Sequence, residues 1–130
     1  WNYTYEKWSE NQADKYYATI KFACKVETIS SFIAKKNISK VHLLKIDAER
    51  SEIDILSGIK DKDWDKICQI VVEVENYRDE VSRVVHLLKS KSYQVFSEQS
   101  SELADTKLFN IYAVKLDYLQ HIKTSSLLLR

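Results

Sequence analysis

The sequence predicts an α/β fold built on a mostly parallel sheet that an antiparallel strand closes at its edge. Two short apolar runs, 41–46 and 67–74, are typical of strands that are buried on both faces of a parallel sheet. A segment with helical periodicity follows each run, and two more strand-like runs complete the order β-α-β-α-β-β. Of the 130 residues, 45% are hydrophobic and 30% are charged, which suits one folded domain with a substantial core.

An aromatic-rich segment opens the chain over residues 1–25. Its first seventeen positions hold two tryptophans and four tyrosines. Such a cluster could stack against a flat ligand, but it more often anchors an irregular segment to a sheet, which is the interpretation we favour. Alternating apolar residues predict a short strand over 19–26, and Thr28 is expected to cap a helix that stops near Asn37.

The centre of the chain carries the clearest pattern. The run 41–46 predicts the first buried strand. Residues 52–57 predict a helix that ends at Gly58, where we expect the left-handed backbone of a glycine stop. The polar stretch 60–66 predicts a turn, with Trp64 as a lid at its rim.

The second half of the chain continues the alternation. The run 67–74 predicts the second buried strand, and residues 79–89 predict an amphipathic helix. Residues 93–96 and 108–114 predict two further strands, and 116–130 predict an amphipathic tail or linker.

Composition excludes several classes of function. The single glycine rules out a glycine-rich phosphate loop, and the absence of methionine makes us expect a piece of a longer protein. The formal net charge of +1 gives no electrostatic reason to bind nucleic acid or an anionic membrane. No apolar run approaches the roughly 20 residues of a membrane span, and the two distant cysteines suit reduced thiols. We therefore expect a cytoplasmic protein without nucleic-acid or membrane partners.

Carboxylates follow both buried strands at the point where each strand ends. Asp47 and Glu49 come after the first strand, and Glu73 and Glu75 end the second. Because ligands of open α/β sheets bind outside the carboxyl ends of the strands, these acids predict a functional crevice. The alternative is structural, since acids at such positions also cap the following helix.

Basic residues flank the acids. Lys45 precedes the strand end, where it either pairs with an acid or touches a substrate, and Arg50 is a candidate contact for an anion. No histidines or cysteines share the spacing of a metal site, so no metal is expected. Two other functions stay open: a Mg²⁺ cluster for phosphoryl transfer or hydrolysis, and a non-catalytic scaffold fragment that forms a homodimer through its sheet edge.

Residues 43–56 read LLKIDAERSEIDIL and resemble the signature LLKIDVEGAELDVL of the FkbM family of S-adenosylmethionine-dependent methyltransferases. The neighbouring segments agree with that family. Residues 26–30 are similar to its helix start, 64–74 to its tryptophan and VVVEV strand, and 109–113 to its closing strand. The resemblance covers residues 26–115 in the right order and spacing.

Two positions depart from the family pattern. Arg50-Ser51 replaces the usual Gly-Ala, a variant that we associate with methyltransferase domains embedded in polyketide and nonribosomal peptide synthases. Glu75-Asn76 stands where the family commonly has His-Asp, so a histidine base is not expected here.

The resemblance implies a three-layer Rossmann-like methyltransferase sheet of which this chain supplies the C-terminal half. It divides the chain into an N-terminal segment, 1–25, a partial methyltransferase domain, 26–115, and a tail, 116–130. The glycine-rich loop that binds S-adenosylmethionine belongs to the first half of such a domain, so we expect the fragment alone to be inactive.

The resemblance also implies roles for the residues around the crevice. The activity would be O-methylation of a small molecule or of a carrier-bound intermediate in natural product biosynthesis, next to neighbouring domains of a larger polypeptide. The implied roles are catalytic for Asp47, Glu49 and Glu73, cofactor-binding for Asp47 and Lys45, and substrate-binding for Glu75, Arg50 and Asn76.

Overall fold

The computed structural model describes residues 23–99 and 106–120 of the chain. Its elements follow the predicted order, including the helix predicted after Thr28, with a short helix added before the second strand. They are α1 (Ile29–Lys35), β1 (Leu44–Ile46), α2 (Glu52–Ser57), α3 (Asp61–Trp64), β2 (Gln69–Glu75), α4 (Glu80–Ser90), β3 (Tyr93–Glu98) and β4 (Leu108–Lys115). Residues 116–120 are helical as well.

The four described strands form one sheet in the order β1-β2-β4-β3. β1 pairs with β2 in parallel, and β4 runs antiparallel to both β2 and β3, so three of these four strands point the same way. The expected antiparallel strand therefore exists, but its predicted place at the edge is wrong, because it lies inside the sheet. The inner position suits the buried Ile111 and Ala113, whereas the exposed Gln94 and Glu98 make β3 the better edge strand.

One face of the sheet carries the core. The buried residues of β2 alternate along the strand, as expected for side chains that point to opposite faces. Ile70, Val72 and Val74 are buried with Leu56 of α2 and Leu88 of α4 in a single apolar cluster. Packing of both helices on this face leaves the carboxyl ends of β1 and β2 at the rim of the core.

Trp64 belongs to the core, and its predicted place as a lid at the rim is wrong. Its side chain is 2% exposed, and its indole N–H donates to the carbonyl oxygen of Ile59 at 3.2 Å. The ring stands edge-on to Tyr93, whose hydroxyl lies 2.7 Å from the carbonyl oxygen of Ile67. The predicted polar turn forms the short helix α3, because helical geometry turns Trp64 inward while Asp61 stays in solvent.

Gly58 ends α2 as predicted, but not with a left-handed backbone. Its φ is −75°, a value that any residue adopts. The glycine is favoured because a Cβ atom there would lie 3.3 Å from the carbonyl oxygen of Ile55 and 3.4 Å from the methyl group of Thr28. Thr28 caps α1 as predicted, since its hydroxyl accepts a hydrogen bond from the backbone N–H of Ser31 at 3.1 Å.

The N-terminal end of the described chain differs from the prediction. Residues 23–26 are not a strand, and the rest of the predicted strand 19–26 lies outside the described residues, as does most of the aromatic segment. Cys24 is exposed and Cys68 is buried, and both are free thiols. Among the described residues no helix combines the length and apolarity that a membrane span needs.

Tyr93→Phe is expected to lower the free energy of unfolding by about 1–3 kcal/mol, because it deprives a buried carbonyl oxygen of its donor. Tyr112→Phe is the matched control, since its hydroxyl binds Glu98 at the surface and its loss should change stability by less than about 0.5 kcal/mol. Urea denaturation measures both, and equal losses would contradict the role given to Tyr93.

Candidate functional site

A crevice of about 280 Å³ lies at the carboxyl ends of β1 and β2. It brings together the four acids that the sequence placed after the two strands, because parallel neighbours end at the same edge of the sheet. A fifth acid and two cations line it as well. The lining residues are Asp47, Glu49, Arg50, Glu52, Glu73, Glu75, Thr106, Lys107 and Leu108.

The turn between β1 and α2 is built around the carboxylate of Glu52. This side chain is buried, and its Oε1 accepts hydrogen bonds from the backbone N–H groups of Ala48, at 3.2 Å, and Arg50, at 3.1 Å. Glu49 and Arg50 have φ values of 46° and 77°, a left-handed conformation that is costly for residues other than glycine. The buried carboxylate offsets this strain, because it satisfies two N–H groups that the turn directs inward.

Lys45 pairs with Asp47 rather than pointing into the crevice. The Nζ of Lys45 lies 3.1 Å from Oδ2 of Asp47, and both side chains are exposed. An ion pair this well solvated contributes at most about 1 kcal/mol. The pair keeps the Asp47 carboxylate at the crevice wall without burying it.

Arg50 crosses from the turn to the end of β2. Its Nε donates to Oε2 of Glu75 at 2.8 Å, and its guanidinium carbon lies 4.2 Å from the centroid of the Tyr77 ring. The hydrogen bond from Arg50 lowers the pKa of Glu75, and the positive charge of Lys107 lowers it further. Residue 50 thus ties two strand ends together in a backbone conformation that would suit the glycine of the family signature.

Glu49 and Glu73 are the acids of the crevice without a protein partner. Within residues 23–99 and 106–120, neither carboxylate has a hydrogen bond or an ion pair, although Glu73 is half-buried. A half-buried carboxylate without a partner can accept a hydrogen bond from a ligand. These two groups are therefore the acceptors that the crevice offers to a bound molecule.

Asn76 is not brought into the crevice. Its side-chain oxygen accepts a hydrogen bond from the backbone N–H of Val81 at 3.3 Å, in the first turn of α4. Its own backbone N–H donates to the carbonyl oxygen of Lys107 at 2.8 Å. Asn76 holds the helix start and the strand β4 in place, so the contact with substrate that the resemblance implied has no support in this geometry.

Sequence reasoning missed three residues at this site. Glu52 gave a faint signal as an acid in the first turn of the predicted helix, a position normally assigned to solvent. Tyr77 gave no signal beyond its position after the second strand. The sequence could not predict Lys107 at the site, because Lys107 lines the crevice only when β4 takes the inner position beside β2 in the sheet.

The acids do not form a metal site. In the part of the chain that the structure describes, no group of three or more histidine, cysteine, aspartate or glutamate side chains is placed to hold a metal ion. The alternative of a Mg²⁺ cluster for phosphoryl transfer therefore gains no support from the described acids.

Comparison with protein families gives a match to the methyltransferase FkbM domain over residues 6–95. The matched range begins in the aromatic-rich segment and ends within β3, and it contains every predicted site residue. No solved structure matches the chain significantly.

Three curated proteins are similar in sequence. The 31-O-demethyl-FK506 methyltransferase FkbM of Streptomyces tacrolimicus is 38% identical over 68% of the chain. The AMB antimetabolite synthetase AmbE of Pseudomonas aeruginosa is 31% identical over 76%, and Methyltransferase 1 of Beauveria bassiana is 36% identical over 57%. The chain spans only 34%, 5% and 30% of the lengths of these three relatives.

Glu52→Ala is expected to lower the free energy of unfolding by about 1–3 kcal/mol, because two partly buried N–H groups lose their charged acceptor. Glu52→Gln keeps one acceptor oxygen and should lose less. Urea denaturation gives the stabilities, and amide NMR shifts at Ala48 and Arg50 report the turn. Stability losses as large for Gln as for Ala would contradict the hydrogen-bonding role.

The Arg50–Glu75 pair predicts a pH dependence. A carboxyl group whose pKa is lowered by folding contributes stability above its unfolded pKa and loses it as the pH falls through the folded pKa. Arg50→Gln should raise the pKa of Glu75, as followed by carboxyl-carbon NMR from neutral to acid pH. Lys66→Gln, which removes a cation bound to Asp63, is the control and should leave the Glu75 titration unchanged.

Proposed function

The chain belongs to the methyltransferase FkbM domain family, and on that premise we propose that it forms part of an S-adenosylmethionine-dependent O-methyltransferase. The observation that carries the proposal is the pair of unpartnered carboxylates, Glu49 and Glu73, at the carboxyl ends of two parallel strands. They lie within the segment that matches the family, in the crevice where an open α/β sheet binds its ligand.

The crevice supplies the two things that methylation of a hydroxyl requires from the protein. It holds the hydroxyl in place by a hydrogen bond to a carboxylate, and it offers that carboxylate as the acceptor of the hydroxyl proton. Glu73 is the better placed of the two for proton transfer, because it is half-buried and fixed on β2. Glu49, on the turn, is the second carboxylate that can orient the hydroxyl.

Asp47 and Lys45 are assigned to the methyl donor. S-adenosylmethionine, when bound, supplies a methyl group on a positively charged sulfur. The donor set suits it, because the crevice wall is mainly carboxylate and Asp47 stays exposed at the end of β1. Lys45 would act through Asp47, whose carboxylate it holds at 3.1 Å.

The remaining cofactor elements are assigned to a preceding half of the domain. The chain has one glycine, at the end of α2, so it contains no glycine-rich turn for the cofactor. It covers about a third of the Streptomyces and Beauveria methyltransferases, which leaves room for such elements in a longer polypeptide. We therefore assign this chain to the C-terminal half of the domain and expect it to be inactive by itself.

We assign the methyl acceptor to one of two classes, small molecules or carrier-bound intermediates. The name of the Streptomyces relative places its methyl group on an oxygen, and the Pseudomonas relative is a synthetase of which the matched segment is a small part. The first similarity supports O-methylation, and the second supports neighbouring domains in the same polypeptide as partners.

The test uses the polypeptide extended on the N-terminal side of this chain. Calorimetry should detect binding of S-adenosylmethionine, and absence of binding by the extended protein would overturn the proposal. Glu73→Gln should then lower the rate of methyl transfer by about 100-fold or more while binding of S-adenosylmethionine is kept, as expected for the loss of a general base. Glu98→Gln, an equal change on the exposed edge strand, is the control.

A further inference from the structure

We propose that Arg50 and Lys107 select the methyl acceptor by binding an anionic group on it. This group, a carboxylate or a phosphate, lies beside the hydroxyl that is methylated. The inference rests on the proposed function, because it names the substrate class of the same crevice. It is carried by two cations that share one aromatic ring and by the presence of unpartnered carboxylates in the same crevice.

Tyr77 brings the two cations together. The guanidinium carbon of Arg50 lies 4.2 Å from the ring centroid of Tyr77, and the Nζ of Lys107 lies 4.7 Å from the same centroid. The cations come from distant parts of the sequence, one from the β1–α2 turn and the other from the residue before β4. Tyr77 is 52% exposed, so the arrangement is open to solvent and to a ligand.

The two cations share a single carboxylate. Glu75 accepts a hydrogen bond from Nε of Arg50 at 2.8 Å, and the positive charge of Lys107 also lowers the pKa of Glu75. In the described residues Lys107 has no ion pair of its own, and no second carboxylate binds Arg50. Arg50 carries five N–H donors in a planar fork, of which Glu75 engages one. Arg50, Lys107 and Glu75 together therefore have an excess positive charge and free capacity for an anion.

The crevice also carries negative charge. Glu49 and Glu73 line the same crevice without a cation partner in the described part of the chain. An anionic group is repelled from these carboxylates and attracted to Arg50 and Lys107, whereas a hydroxyl donates to the carboxylates. A methyl acceptor that carries both groups is therefore oriented, with its hydroxyl at a carboxylate and its anionic group at the cations.

The backbone at residue 50 agrees with this role. Arg50 occupies a left-handed conformation, φ 77°, in which glycine would be less strained. The side chain that carries this strain lines the crevice and a smaller cavity of about 130 Å³ beside it. Arg50 thus keeps a strained backbone and places its charge at the crevice. Both features are consistent with a role in ligand selection.

The test titrates the full chain with small probes and follows backbone amide NMR shifts. Glycolate, which joins a hydroxyl to a carboxylate, and inorganic phosphate should give saturable shifts at Tyr77 and Lys107, with dissociation constants of roughly millimolar order. Ethylene glycol lacks the anion, and methylammonium has the opposite charge, so neither should shift these residues. Shifts of Tyr77 and Lys107 that are as large with methylammonium as with the anions, or no shifts with glycolate and phosphate, would overturn the proposal.

Lys107→Gln is the main variant, because it removes one cation without changing a left-handed residue. It should weaken binding of both anions by at least about threefold, the size expected for one exposed ion pair. Arg50→Gly should do the same on a less strained backbone, and its dispersed spectrum verifies folding. Lys89→Gln removes an equal charge from the last turn of α4, outside the crevice lining, and should leave the affinity unchanged.

The anion affinities of the three variants can also contradict the proposal. Anion binding that Lys107→Gln and Arg50→Gly leave unchanged, or that Lys89→Gln weakens equally, would overturn it. The proposed function is judged separately by binding of S-adenosylmethionine to the extended polypeptide. If the extended protein binds the methyl donor but this chain binds neither glycolate nor phosphate, only the anion selection is refuted.

Discussion

The buried carboxylate of Glu52 is the interaction on which the candidate site depends. Its two hydrogen bonds, to the N–H groups of Ala48 and Arg50, fold the chain back on itself directly after β1. The turn then presents Asp47, Glu49 and Arg50 to the crevice. Glu49 and Arg50 have a left-handed backbone that would otherwise be unfavourable. A charge buried at the start of a helix therefore has a structural purpose that precedes any chemistry.

The second constraint is the parallel pairing of β1 with β2. It places the ends of both strands at one edge, and the Arg50–Glu75 ion pair joins the turn after β1 to the end of β2. The crevice therefore holds both the unpartnered Glu49 and Glu73 and the two cations around Tyr77. The proposed methyl transfer and the proposed anion selection both use these charged groups.

The sequence was sufficient for local features and for the parallel pair, and insufficient where distant segments meet. The apolar runs located β1 and β2, and their acidic ends led to the crevice. Lys107 could not be predicted, because the inner position of β4 depends on pairing across the whole sheet. Glu52 was missed because its burial depends on hydrogen bonds within a turn whose left-handed residues are not glycines. The tight approach of Thr28 to Gly58 was equally invisible, since it depends on how two helices pack.

The most direct measurement of the central claim is hydrogen exchange of the extended polypeptide with and without S-adenosylhomocysteine, the demethylated form of the methyl donor. A crevice at the ends of β1 and β2 predicts slower exchange of backbone amides over residues 47–52 and 73–76 when the ligand is bound. Binding that slows exchange elsewhere and leaves both segments unchanged would contradict the assignment of this crevice as the site of methyl transfer.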